Sequence, residues 1–204
     1  MNTVTLDGQA VTPSKVVCIG RNYVAHIEEL GNEIPDEMVV FAKPNSAIGN
    51  TLYAQLGEEQ LHYEGEIAFM VEGGALAAVG FGLDLTKRGL QSTLKAAGLP
   101  WERAKAFDGS ALFSDFQRYT GEPTELAVEL KVDGIIRQAG GADLMMYPPA
   151  VILAELGKFM SLEDGDIIMT GTPAGVGVVK AGERFCGRVH RSEVTLAEGS
   201  WDAS

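Results

Sequence analysis

Leu61–Gln91 reads LHYEGEIAFMVEGGALAAVGFGLDLTKRGLQ, and two strand-like runs inside it decide the fold. The first, Glu64–Val71, fills its later half with Ile67, Ala68, Phe69, Met70 and Val71. Glu72-Gly73-Gly74 then joins it to a second run, Ala77–Leu85, which carries Asp84 near its end. Residues two apart on a strand point to the same side, so Glu64 and Glu66 present their carboxylates together. Two acids on one side of an apolar strand repel each other and resist desolvation, unless a cation sits between them. If the two runs pair, Asp84 brings a third carboxylate to the same point. Three hard oxygen ligands with no cysteine nearby suit Mg²⁺ or Mn²⁺ better than zinc. Taken alone, Glu-x-Glu is common on solvent-facing strand edges that bind no metal.

Working outward, the flanking segments read mainly as short strands. Asp7-Gly8 and Asp133-Gly134 mark two-residue hairpins between Thr3–Leu6 and Gln9–Val11, and between Leu126–Val132 and Ile135–Gln138. Val16–Ile19 and Val39–Ala42 read as buried strands, Ile167–Met169 as a strand after the polar Glu163–Asp166 turn, and Phe185–Val189 as the last strand before a loosely held tail. Helices are expected over Val24–Leu30, closed by Gly31, and over Lys87–Ala97, capped by Thr86 and ended by Gly98. The second would bury Leu90, Leu94 and Ala97. A third is expected over Pro148–Met160. The strands are not spaced by regular helices, which argues against a doubly wound sheet and for a mainly β, α+β chain.

The 204 residues fit one domain, residues 1–204, with a sizeable core. The net charge of −12 and pI near 4.6 argue against a basic nucleic-acid surface. An anionic substrate would need local positive charge, which Arg21, Lys43, Arg88 and Lys105 can supply. Cys18 and Cys186 make no disulfide framework, and no apolar run has the length of a membrane span. No signal-peptide pattern opens the chain, so a cytoplasmic protein with no membrane or nucleic-acid partner is expected.

Several separated motifs resemble the fumarylacetoacetate hydrolase family, especially its small acylpyruvase-like members. They are Glu64-x-Glu66 with Asp84; Gly20–Glu29 in a G-x-N-Y-x-x-H-x-x-E pattern; Phe41–Pro44 in Phe-x-Lys-Pro; Asp84–Gln91 in Asp-x-x-x-Arg-x-x-Gln; Trp101–Phe107; and Thr170–Gly177, TGTPAGVG. The last run lacks the Gly-Lys-Ser/Thr ending of a P-loop. The resemblance covers roughly Lys15–Val189. It implies a mixed β-sandwich roll, usually homodimeric, in which Glu64, Glu66 and Asp84 hold the divalent ion. It further implies that His26 and Glu29 activate water on a mobile segment and that Lys105 is the active-site lysine. Arg21, Tyr23, Lys43, Arg88, Gln91 and Thr172 are expected around the substrate, a small 2-oxo acid. Gly89 stands where small members usually carry Asp, which bears on how Arg88 is held. The expected reaction is Mg²⁺-dependent hydrolysis of an acylpyruvate to pyruvate and a carboxylic acid, with His26 and Glu29 retained as its water-activating pair. The alternatives are oxaloacetate decarboxylation or tautomerisation, or isomerisation of the 5-carboxymethyl-2-hydroxymuconate type. A non-catalytic metal- or metabolite-binding protein is the reading from a different class.

Overall fold

The structure is a computed structural model that describes residues 1–31 and 33–204. The chain opens with a hairpin, β1 (Val4–Leu6) and β2 (Gln9–Val11), then β3 (Lys15–Gly20), helix α1 (Val24–Glu29), β4 (Val39–Pro44) and β5 (Gln55–Leu56). The quoted stretch forms β6 (Glu59–Tyr63), β7 (Gly65–Glu72), β8 (Ala75–Asp84) and β9 (Thr86–Lys87), and runs into α2 (Arg88–Ala96). Next come α3 (Glu102–Lys105), β10 (Ala111–Phe113), β11 (Gln117–Arg118), β12 (Ala127–Val132), β13 (Ile135–Gly141) and α4 (Pro149–Leu156). The chain closes through β14 (Ile167–Met169), β15 (Gly177–Val178), β16 (Arg184–Arg191) and β17 (Val194–Asp202).

A seven-stranded sheet runs β10-β8-β7-β14-β3-β4, with β11 also paired to β8. Only the β14–β3 pairing is parallel in it. A second sheet, β13-β12-β16-β17, packs against one of its faces. There Ile67, Phe69, Val79, Phe81 and Leu83 of the large sheet meet Val128, Leu130, Val132, Phe185 and Val189 of the small one. Helix α4 covers the neighbouring part of that face, setting Ile152 and Leu156 on Val17, Ile19 and Ile168. On the other face, Ala68, Met70, Cys18 and Met169 pack with Phe116 and with Val4 and Leu6 of the first hairpin. Both faces are covered, which is why β7 reads as a continuous apolar run rather than an alternating one. Each large apolar side chain fully buried in this way contributes about 1.5–3 kcal/mol. The arrangement is a mainly β sandwich with a few short helices, as the sequence reading expected.

Four expectations need correction. Phe185–Val189 is not the last strand, because the supposed tail forms β17, paired along β16 and packing Trp201 against Phe81. The turn between them uses Ser192 at φ 50°, without the glycine that normally signals it. Strand β4 is an edge strand, half-buried over Val39–Phe41 and exposed at Ala42. Thr86 does not cap α2: it sits in β9, and no side chain caps that helix, whose Ala97 end is exposed. Helix α4 stops at Leu156, four residues early. Both cysteines are free, and among the described residues no helix is long and apolar enough to cross a membrane.

Candidate active site

The register of β7 with β8 builds the centre of the site. Glu66 pairs with Gly82, and the Asp84 amide donates to the Glu64 carbonyl at 2.8 Å. Even-numbered positions of both strands therefore share a side, and Glu66 continues the row of Ala68 and Met70. Glu64, Glu66 and Asp84 are all buried, and each offers a carboxylate oxygen within 4.8 Å of the others. Such crowding is costly unless it is compensated by cations.

The compensation is uneven. The Lys105 ammonium, on α3, donates to Glu64 Oε2 and Asp84 Oδ2 at 2.8 Å each and to Thr86 Oγ1 at 2.7 Å. Arg88 binds Glu64 Oε1, and also donates to Gln91 Oε1 at 2.8 Å. Arg88 is thus firmly held although Gly89 follows it. Lys43 Nζ lies 2.9 Å from Asp84 Oδ1 but off hydrogen-bond geometry, leaving that buried oxygen without a hydrogen bond. Among the described residues no cation forms an ion pair with Glu66. Its Oε2 accepts the Gly171 amide at 2.7 Å. Burial, then the charges of Asp84 and Glu64, push its carboxyl well above the usual range. Glu64 is driven the other way: burial raises it, but Lys105, Arg88 and His26 outweigh that and hold its carboxyl strongly depressed. A carboxylate lacking a counter-charge and an unsatisfied buried carboxylate oxygen, side by side, fit a hard divalent cation bound by the three acids.

The walls come from four loops and helices. After β3, Arg21 adopts φ 55°, a left-handed turn costly for a residue with a side chain, which swings the chain into α1 and sets Arg21 on the cavity wall. Asn22 then stitches this corner down. Its Nδ2 donates to the Thr170 and Tyr147 carbonyls at 2.8 and 3.0 Å, and its Oδ1 accepts the Tyr147 amide. His26, one turn into α1, lines the cavity, while its Nδ1 lies 3.4 Å from Glu29 Oε2. Burial lowers the His26 pKa below its ordinary value, against the opposing pull of Glu64 and Glu29. The imidazole is therefore neutral near pH 7 and able to accept a proton. Glu29 in turn receives the Gly175 amide on both oxygens, at 3.0 and 3.1 Å. That bond ties α1 to the TGTPAGVG segment.

That segment also reaches the strand that carries the acids. Gly171 sits at φ 100°, and a Cβ there would come within 2.8 Å of Asn22 Cβ. Its neighbour Thr172 donates to the Gly65 carbonyl at 2.9 Å. Gln138, on β13, was not singled out in the sequence, yet it braces this corner. It accepts the Gly65 amide at 2.8 Å and donates to Thr172 Oγ1 and the Pro173 carbonyl at 2.7 and 2.8 Å. No local pattern marks it, because its partners are 34 to 73 residues away.

Of the residues expected at the site, the structure gathers Arg21, His26, Glu64, Glu66, Asp84, Arg88, Gln91, Lys105 and Thr172 around one cavity. Glu29 lies behind His26. Lys43 is fully buried beneath the cavity, held by the Lys105 and Ser110 carbonyls and Ser110 Oγ as well as by Asp84. Tyr23 lies in the core, its hydroxyl without a hydrogen bond and its pKa raised chiefly by burial, and it does not reach the cavity. Lys95 and Trp101 line the cavity without having been expected as ligand contacts.

Comparison with known proteins agrees with this geometry. Residues 15–200 match the model of the fumarylacetoacetate (FAA) hydrolase C-terminal family. Oxaloacetate tautomerase YcgM of Escherichia coli (strain K12) is 38% identical over 191 residues, spanning 84% of this chain and 86% of that protein. A structure described as a putative fumarylacetoacetate isomerase/hydrolase from Oleispira antarctica superposes with a TM-score of 0.93 at 32% identity, over the whole of both chains. Fumarylpyruvate hydrolase from Pseudomonas aeruginosa, solved in complex with Mn²⁺ and pyruvate, gives a TM-score of 0.89 at 32% identity, covering 99% of this chain and 95% of that one. The chain belongs to the fumarylacetoacetate hydrolase family.

Proposed function

We propose that this protein is a metal-dependent enzyme of small 2-oxo acids whose principal reaction is the keto–enol tautomerisation of oxaloacetate. The observation that carries this reading is the 38% identity, over most of both chains, to an oxaloacetate tautomerase. That relationship reverses the order expected from the motifs, in which hydrolysis came first. Glu64, Glu66 and Asp84 would hold Mg²⁺ or Mn²⁺, and the ion when bound would supply Lewis acidity to a chelating 2-oxo acid.

The rest is done by the chain. Neutral His26, with Nδ1 turned to Glu29, has Nε2 left for the substrate. It takes a proton from C3 and returns it to the oxygen on C2, converting keto acid to enol; the reverse passage converts enol to keto acid. Glu29 stabilises the imidazolium that forms in between. Lys105 and Arg88 keep the acidic cluster ordered and add positive charge near the enolate oxygen.

A second reading, acylpyruvate hydrolysis, draws on the likeness to the fumarylpyruvate hydrolase and on the same His26–Glu29 pair. Here His26 would take its proton from water, which would attack the distal carbonyl and break the carbon–carbon bond. The test is ultraviolet absorbance with the Mg²⁺-loaded protein. Accelerated decay of enol-oxaloacetate, with acetylpyruvate left intact, is the expected result. Acetylpyruvate cleavage without that acceleration replaces the first reading by the second. Metal binding with neither reaction leaves the non-catalytic reading.

A further inference from the structure

One cation on the cavity wall has no part in holding the acids. Helix α2 presents Arg88, Gln91 and Lys95 at i, i+3 and i+7, so the three stand on one face, and all three line the cavity. Arg88 is committed to Glu64 and Gln91, and Lys105 to Glu64, Asp84 and Thr86. Lys95 has no acidic partner among the described residues. Its ammonium lies 4.9 Å from the centre of the Trp101 ring, which orients the side chain without neutralising it. Burial, then the charges of Arg21 and Arg88, pull the Lys95 ammonium down to about 8 against the opposing charge of Glu64.

The cavity therefore has two unlike ends. One is the acidic cluster that fits a divalent ion. The other holds Lys95, half-buried and with no acidic partner among the described residues. A ligand that places its 2-oxo acid head at the first end and a second anion at the second would relieve both. We propose that Lys95 receives the second carboxylate of a dicarboxylic 2-oxo acid, and so sets a preference for dicarboxylates over monocarboxylates of equal length.

This assignment rests on the 2-oxo acid reading of the site but not on which reaction follows. It is tested by binding, without turnover. The Mg²⁺-loaded protein is titrated calorimetrically with 2-oxoglutarate and with 2-oxopentanoate, which match in length and differ in a terminal carboxylate against a methyl group. The wild type is expected to prefer the dicarboxylate by about 10–100-fold, the scale of one charge-assisted hydrogen bond. Lys95→Met keeps the packing on Trp101 and should erase most of that preference while leaving 2-oxopentanoate affinity unchanged. Lys95→Arg should restore it. With oxaloacetate as substrate, Lys95→Met should raise KM and leave kcat nearly as it was. Equal affinities in the wild type, or a preference that survives in Lys95→Met, overturns the assignment. If the preference holds but no tautomerisation is seen, the proposed reaction fails and the assignment of Lys95 stands.

Discussion

The two halves of the site are built on opposite principles. The acidic cluster sits on β7 and at the end of β8, in the middle of the large sheet, where backbone pairing fixes Glu66 and Asp84, the Gly171 amide holds Glu66 and the Lys105 ammonium holds Asp84. The pair proposed to transfer the proton sits on α1, a helix of six residues with no side-chain cap, and its His26–Glu29 contact is long at 3.4 Å. Its main ties are the Glu29–Gly175 bonds and the Asn22 corner. A metal needs ligands placed within a few tenths of an ångström before it arrives, and strands give that. A base that must admit substrate and then meet it works better on an element that can yield. The contrast teaches that binding and proton transfer can be broken separately.

The sharpest break is at the rigid half. Glu66→Ala removes the carboxylate that has no counter-charge, so the sheet should lose little stability while metal binding collapses. Turnover is expected to fall by about 10³-fold or more, with calorimetry showing no Mg²⁺ or Mn²⁺ uptake. Metal still bound with full activity would remove the acidic cluster from the mechanism. The complementary break is His26→Asn. Metal affinity should stay within about twofold of wild type, because α1 contributes no ligand, while kcat falls by about 10²–10³-fold. Equal loss of metal affinity would mean that the halves are not separable.

This division also explains what could be read from the chain. The cluster was legible because two acids at strand spacing in an apolar run, with a glycine-rich turn and a third acid on the next strand, form a local pattern. The hairpin turns at Asp7-Gly8 and Asp133-Gly134 were legible for the same reason. The pairings across the chain were not. Gln138 braces Gly65 and Thr172 from a different sheet, and nothing around it distinguishes it from any polar strand residue. Lys43 follows a run that reads as a buried strand, where a lysine could be a plain exposed end, yet it lies within edge strand β4 and the fold draws its ammonium fully into the interior. Strand β17 was missed because its turn carries Ser192 in place of glycine, and its apolar residues, Leu196, Ala197 and Trp201, do not keep a period of two. The bulge in its pairing with β16 accounts for the broken period. His26 with Glu29 was recognisable only by resemblance, since a histidine three residues from an acid is ordinary on any surface helix.

Within the helical half, the charge of Glu29 can be separated from its tether. In Glu29→Gln the amide oxygen can still accept the Gly175 amide, so α1 should stay docked, while the charge opposite His26 is lost. A drop in kcat of about tenfold is expected, with metal binding and thermal stability unchanged. A much larger loss accompanied by a lower Tm would show that the tether, rather than the charge, is what Glu29 provides.

The smallest effect concerns pH and fixes which proton is being counted. Burial depresses the His26 pKa in the folded protein, so the neutral, proton-accepting form persists below the ordinary imidazole value of about 6.5. The rate should hold through neutral pH and fall as pH drops through that depressed value. The same group adds a small stability that is fully present above the unfolded pKa, because the unfolded chain binds the proton more readily. That stability is lost as pH falls through the folded value. Both Glu29 and Glu64 raise the His26 pKa against burial. Removing the Glu29 charge should therefore move the acidic limb of the rate profile further down, a shift worth about threefold in rate near its midpoint. A limb that moved up, or stayed in place in Glu29→Gln, would mean that a group other than His26 governs the acid side of the profile.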